Sequence, residues 1–288
     1  MMTKTNKFTS GRFVAYVFMA VFLGYFLLPL LWLVIGSTKT NAGLFSSFGF
    51  WFDKDFNLWQ NIQDVFSFGD GVFFLWMRNT AVYAVVASIG SSLISALAGY
   101  AFAQYRFAGR DLIFGVVLAS VFVPTTVFAV PLYLLMSKTD LSGSLWAVIL
   151  PSLISPFGVY LMRIYAEQAI PQDLIDAARI DGAGELRIFA TIALRLIAPG
   201  YVTVLLFAFV GAWNNYFLPL LVLSKSELYT VTVGLAYWNS VVGPQATSIP
   251  LYPLIVTGSV IGTLPMMLVF LFLQRFWQNG LALGSIKG

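Results

Sequence analysis

The sequence predicts an all-α integral membrane protein with six transmembrane helices. Of its 288 residues, 59% are hydrophobic and only 10% charged. A soluble domain carries about 25% charged residues, so a water-facing fold of this composition lacks the polar groups to cover its surface. The 27 Phe, 13 Tyr and 8 Trp demand burial and exclude a disordered chain. Six stretches contain no Asp, Glu, Lys or Arg: residues 13–36, 80–105, 112–136, 145–162, 196–223 and 251–274. Each approaches or exceeds the roughly 20 apolar residues that a helix needs to cross a bilayer core.

The first stretch follows Lys4, Lys7 and Arg12, as a signal peptide would, but it is longer than a usual apolar h-region and no A-x-A-like cleavage site follows. It reads as a transmembrane helix behind a cytoplasmic N-terminus, residues 1–12. The run 71–77 is too short to cross and reads as an interfacial or re-entrant piece. The second span carries Ala84, Ser88, Ser92, Ala96, Gly99 and Ala103 at mostly four-residue spacing, and the sixth carries Gly258 and Gly262 as G-x-x-x-G. Such seams let helix backbones approach closely, either within the chain or against a second subunit. The fourth span is the shortest, with only Arg163 interrupting its apolar continuation. The transmembrane region occupies residues 13–274, and 275–288 form a polar tail.

Basic residues orient the chain. With both ends inside, cytoplasmic segments hold eleven Lys and Arg and external segments five, the expected positive-inside asymmetry. An even number of spans requires both termini on one side.

What the chain lacks narrows its function. With no Cys and no His, thiol nucleophiles, zinc-thiolate sites and histidine acid–base chemistry are excluded; no metal site and no cofactor is expected. The net charge of +4 is too small to argue for nucleic acid. Ionisable groups inside a membrane are the usual machinery of ion-coupled transporters, and the six spans contain none. The chain also lacks the G-x-x-x-x-G-K-[ST] phosphate loop. It is therefore read as no enzyme, with its energy supplied by a partner.

The longest cytoplasmic loop, residues 163–195, holds nine charged residues. Pro171 suits a first helical position and Asp173 the first turn, where the helix dipole favours an acid. Gly182 and Gly184 stop the short helix. Leu186, Phe189, Ala190, Ala193, Leu194 and Ile197 then recur with helical period and lead into the fifth span, with Pro199 near the junction. A short helix tied to a long one forms a knob through which a push reaches that span; a solvated amphipathic loop on the membrane surface is the alternative.

The string Asp176-Ala177-Ala178, three residues, Gly182, nine residues, Ile192, one residue, Leu194 resembles the EAA loop of binding-protein-dependent ABC importer permeases. The resemblance implies a type I ABC importer permease fold with a cytoplasmic coupling helix that docks into a cleft of an ATP-binding subunit. Asp176 stands where that family has Glu, and Arg195 where Pro is usual, so Pro199 is expected to set the bend into the fifth span. Asn79, Ser95 through Ala103, Arg106-Phe107-Ala108-Gly109-Arg110, Pro131-Leu132-Tyr133, Ser155-Pro156-Phe157-Gly158 and Ala177 through Ala183 are similar to carbohydrate permeases of the maltose-transporter type. So is the end, Gln274-Arg275-Phe276 to Lys287-Gly288, which the family implies lies on the ATP-binding subunits.

Trp213-Asn214-Asn215-Tyr216, followed by Pro219, resembles the W-N-x-[FY] segment of sugar permeases, whose relatives often carry an acid at the position of Asn215. These four residues are candidates for the solute path, since a sugar needs hydrogen-bonding groups and aromatic faces; interhelical hydrogen bonding is the competing role. The external segment 224–250 is long enough to meet a binding protein and includes Tyr237, Trp238, Asn239 and Gln245; the family resemblance implies that this loop can reach the solute during handover, with interfacial anchoring as the alternative. For Trp51 and Trp59, anchoring is the preferred reading.

The resemblance thus implies a prokaryotic cell (inner) membrane protein, multi-pass with both termini cytoplasmic. It implies a permease subunit of an ATP-driven importer of sugars or oligosaccharides, with a second permease, two ATP-binding subunits and an extracellular or periplasmic solute-binding protein as partners. A permease for a non-sugar solute and a secondary transporter or channel are the alternatives.

Overall fold

The computed structural model describes residues 10–241 and 251–284, and the side chains of 11–241 and 251–274. Lys4, Lys7, Gln245, Lys287 and Gly288 lie outside the described residues, as do the side chains of Arg275 and Phe276. The described residues are mostly helical, with no strand among them. Among the described residues, four helices are long and apolar enough to cross a membrane, or up to six when each of two sharply bent pairs counts as one span.

Helix α1 (Ser10–Gly36) is followed by the short α2 (Asn41–Ser46) and by α3 (Leu58–Gln104), 47 residues long. The run 71–77 is not a separate interfacial piece. It belongs to α3 and begins at the last of three residues, Gly69, Asp70 and Gly71, whose φ angles of 61°, 57° and 77° are left-handed. Its apolar side chains carry the helix inward, with Phe73 and Trp76 fully buried.

The expected third span is bent by 99° between α4 (Arg110–Val121) and the segment Thr125–Lys138, which ends in α5 (Ala129–Lys138). Pro124 stands at the break, where it lacks an N–H and drives the preceding residue out of the helical region. The fourth span joins α6 (Leu145–Ser152) to α7 (Pro156–Ala169) and extends past Arg163. Arg163 is accommodated by Glu167 at 2.7 Å and by the Phe114 ring, 3.9 Å from its guanidinium carbon. The loop helices are α8 (Gln172–Ile180), α9 (Glu185–Ile188), a π turn at Phe189–Ala193 and α10 (Leu194–Leu196). The fifth span divides into α11 (Ala198–Trp213) and α12 (Phe217–Val222). Within the segment expected as an external loop stands α13 (Val231–Val241), and α14 (Leu251–Gly284) carries the sixth span past Gln274.

Two compact units emerge, Met1–Phe68 with Tyr237–Ile261 and Gly69–Ala236 with Gly262–Gly288. In the first, side chains satisfy the carbonyls that α1 leaves open at its end. Ser37 and Thr38 hydroxyls donate to Val34 and Ile35 carbonyls, and the Asn61 amide donates to Ser37 and Lys39 carbonyls at 2.8 and 2.9 Å. Lys39 is itself buried, its Nζ donating to Ser47 Oγ at 2.8 Å and the Phe48 carbonyl at 2.7 Å. Lys39→Met retains the aliphatic stem but strands both acceptors. A loss of about 1–3 kcal/mol is expected, read as a lowered melting temperature of the purified protein; unchanged melting would show that water replaces the ammonium.

In the second unit, α3 crosses α7 at close range, and its polar residues hold the segment before α13. Trp76 Nε1 donates to Ser226 O, Asn79 Nδ2 to Glu227 O, and Tyr83 OH to Leu228 O, at 2.7, 2.7 and 3.0 Å. Thr80 Oγ1 accepts from Val231 N at 2.8 Å. The small-residue seams are used inside the chain: Ala84, Ser88, Ser92, Ala96 and Gly99 are buried, and the Gly262 carbonyl accepts from Trp213.

Candidate functional site

Helix α8 has Asp173 in its first turn, as the sequence predicts, while Pro171 stands one place earlier than expected, at the N-cap rather than in the first helical position. It ends in a Schellman turn. Gly182 N donates to Arg179 O and Ala183 N to Ala178 O, both at 3.0 Å, with Gly182 at a φ of 78°. A Cβ on Gly182 would meet nothing within 4 Å, so the requirement there is conformational rather than steric.

The helix is two-faced. Ile175 and Ala178 are buried in a cluster with Ala96, Tyr100, Met162, Ala166, Ile188, Phe189, Ala193 and Ile197, drawn from α3, α7 and the segment behind α8. On its other sides, Leu174, Asp176, Ala177 and Ile180 are exposed, Ile180 at 87%. Asp176 accepts from Gln172 at 3.2 Å and from Arg179 at 3.0 Å. Of the six residues singled out in the loop, Ala178 is buried, Ile192 and Leu194 are half-buried against the same cluster, and Asp176, Ala177 and Gly182 are exposed.

The buried stripe behind α8 departs from the expected one. Ile188, Phe189, Ala193 and Ile197 face the cluster, whereas Leu186 and Ala190 are exposed. The π turn at Phe189–Ala193 adds a residue to the helical repeat and shifts the stripe. The chain then turns by 84° between Glu185–Leu196 and Ala198–Trp213. Ile197 is the hinge, fully buried, and Pro199 sits in the first turn of α11. Pro199 thus occupies the bend, with Arg195 exposed before it.

Sequence reasoning missed the charged partners around this helix. Glu185 accepts from Arg179 Nε at 2.8 Å and from the hydroxyl of Tyr105, just beyond α3. The Arg179 guanidinium foremost, and then the Tyr105 hydroxyl, hold the Glu185 carboxyl below its ordinary range. The carboxylate is therefore ionised at neutral pH, and its pairing is lost only as pH falls through that lowered value. A sequence separation of 80 residues hides Tyr105 from pattern reading; its place at the end of an apolar span was the available signal.

The second candidate segment lies at the break of the fifth span. Trp213 is buried and donates through Nε1 to Gly262 O at 3.0 Å. Asn214 Nδ2 donates to Val210 O at 2.9 Å and contacts Met266 Sδ at 3.1 Å. Asn215 Oδ1 accepts from Leu218 N at 3.3 Å, and its carbonyl accepts from Thr232 Oγ1 at 2.9 Å. Tyr216 is exposed. The break precedes Pro219 rather than following from it. Further along, Asn239 and Tyr237 are exposed, while Trp238 is buried edge-on to Phe68.

This arrangement of bent spans around a two-faced loop helix is the type I permease fold of ABC importers. It matches a chain in the crystal structure of a bacterial ABC transporter involved in the import of the acidic polysaccharide alginate, with a TM-score of 0.80 at 20% identity over 96% of this chain and 99% of that one. The chain belongs to the family of binding-protein-dependent transport system inner membrane components, whose profile matches residues 91–282. It is 32% identical, over 100% of both chains, to the arabinooligosaccharides transport system permease protein AraQ of Bacillus subtilis (strain 168). It is 32% identical to the lactose transport system permease protein LacG of Rhizobium radiobacter over 93% of each chain. The maltodextrin transport system permease protein MdxG of Bacillus subtilis (strain 168) is 34% identical over 77% of this chain and 78% of that one. A permease of this family is a membrane subunit without catalytic activity of its own.

Proposed function

We propose that the chain is one of two permease subunits in an ATP-driven, binding-protein-dependent importer of sugars or oligosaccharides. It works with a second permease, two ATP-binding subunits and an external solute-binding protein, and both its termini face the cytoplasm. The observation that carries the coupling role is the two-faced α8, with Ile175 and Ala178 seated in the chain's own core and Ala177 and Ile180 facing outward. An ATP-binding subunit docks on the outer face through Asp176, Ala177, Ala178, Gly182, Ile192 and Leu194, of which Ala178, Ile192 and Leu194 act from behind by seating the helix. When the ATPases close, α8 moves as part of its cluster, and the hinge at Ile197 delivers the motion to α11.

The names of the three relatives support the solute class. At the break of the fifth span, Asn214 and Tyr216 offer an amide and an exposed aromatic ring to a passing sugar. Trp213 and Asn215 keep the break in shape through their bonds to Gly262 and Leu218. The test is reconstitution of the complete transporter in liposomes with its solute-binding protein, using arabinooligosaccharides, lactose and maltodextrins as probes. ATP-dependent uptake of one of these sugars is the expected result. Uptake by this chain alone, driven by an ion gradient without ATP, would overturn the reading, and so would transport of peptides with no sugar.

A further inference from the structure

The buried pair Ile175 and Ala178 sets the rotation of α8 only coarsely, because hydrophobic contact is non-directional and does not fix it closely. A polar clamp does. Glu185 opens α9 immediately beyond the Gly182 turn, and its two carboxylate oxygens are shared between two elements. Arg179, in α8, donates to Oε1 through Nε at 2.8 Å and to Oε2 through Nη2 at 3.4 Å. Tyr105 donates its hydroxyl to the same Oε2. The other arm of Arg179 reaches Asp176 at 3.0 Å, and its guanidinium carbon lies 5.8 Å from the centre of the Tyr105 ring. Tyr105 stands edge-on to Tyr100 at 5.7 Å, and Tyr100 lies 5.4 Å from Phe189. The end of the second span is thereby joined to α8, α9 and the π turn.

Ion pairs this exposed add little to stability, whereas charge-assisted hydrogen bonds are strongly directional. What the clamp supplies is orientation. We infer that Tyr105 is a positioning residue. Through Glu185 and Arg179 it holds α8 at the rotation that turns Ala177 and Ile180 outward, and it passes the motion of a docked ATP-binding subunit to the second span as well as to the fifth. The inference rests on α8 being the docking element.

Tyr105→Phe removes one oxygen and leaves the ring. In the reconstituted transporter, assembly and melting are expected to stay at wild-type levels, while solute moved per ATP hydrolysed falls roughly three- to tenfold, the range for loss of one hydrogen bond to a charged group partly screened by water. Glu185→Gln is expected to give the same loss, and the double variant no more than either alone. Because the chain has no native Cys, nitroxide labels at Ala108→Cys and Asp181→Cys report the orientation of α8 directly. Their distance distribution is expected to broaden in Tyr105→Phe. A purely structural role would lower the yield or melting of the complex and leave the transport-to-hydrolysis ratio unchanged. An unchanged ratio together with superimposable distance distributions would overturn the inference. Failure of the docking reading is separately visible, since Ile180→Glu would then capture the ATP-binding subunit as well as the wild-type chain does.

Discussion

Ile180→Glu is expected to detach the ATP-binding subunit and abolish uptake while leaving the permease folded. Ile180 is 87% exposed at the end of α8, and Leu186 beyond the Gly182 turn is 81% exposed. Large apolar side chains in a water-facing loop of an otherwise charge-rich segment are informative, because they lose solvent only when a partner covers them. A carboxylate at position 180 faces water in the free chain, where its place at the C-terminal end of α8 and near Asp176 costs only a small, solvent-screened penalty. In a docked interface it must shed that water, and burying an unpaired charge is strongly unfavourable. Affinity should fall on the order of a hundredfold, corresponding to roughly 3 kcal/mol. Ile180→Leu, which keeps the apolar surface, should bind as the wild type does. Ile175→Glu is the contrasting variant: Ile175 is fully buried in the cluster beneath α8, so its replacement should lower the yield of folded protein before docking is ever tested. Capture of the ATP-binding subunit on immobilised permease, followed by uptake in liposomes, separates the three. Wild-type capture by Ile180→Glu would move the docking face elsewhere.

The distinction between the faces of α8 shows what sequence can and cannot disclose in this chain. The apolar stretches are legible because lipid offers no hydrogen bonds, and only long helices satisfy their own backbones there. Local punctuation is legible too: Pro171 and Gly182 bound α8, and Pro199 occupies the bend into α11. The 99° bend in the third span has its cause in Pro124, yet the apolar run passes through that proline without a change of composition. The run 71–77 stands isolated in the sequence because its helix continues from residues before it, across a left-handed turn that interrupts the hydrophobic pattern. Contacts between distant positions left no periodic trace. Asn79 meets carbonyls nearly 150 residues away, and Tyr105 meets Glu185 across 80. For Trp213 the sequence leaves the solute path and interhelical hydrogen bonding both open, and it does not name the Gly262 carbonyl to which the indole N–H donates. A membrane-buried donor takes the nearest carbonyl, and residue type alone cannot say which carbonyl that is.

Gly99→Ala is expected to be the most damaging single-methyl change in the second unit. A Cβ at Gly99 would lie 2.6 Å from Arg163 N and from Met162 Cβ, and 2.7 Å from Met162 C. Two of those atoms are backbone of α7, so no rotamer change relieves the contact and the helices must separate. The far side of the crossing is equally small: Gly158 of α7 faces Ser95 of α3, and the Ser155 hydroxyl caps its N–H at 3.0 Å. Overpacking typically destabilises by about 1–3 kcal/mol, and a rigid backbone neighbour places this site at the upper end. The effect should extend to transport, because Met162 and Tyr100, which flank the contact, are part of the cluster that seats α8. Separation of α3 from α7 would therefore loosen the floor beneath the docking helix. Gly115→Ala is the control, since a Cβ there meets nothing within 4 Å in α4 and alanine is the better helix former. Thermal melting of the purified protein should show a clear drop for Gly99→Ala and none for Gly115→Ala, with uptake following the same order. Equal melting of the two variants would mean that the helices already have room to separate, and the close crossing would then carry no share of the coupling between the second and fourth spans.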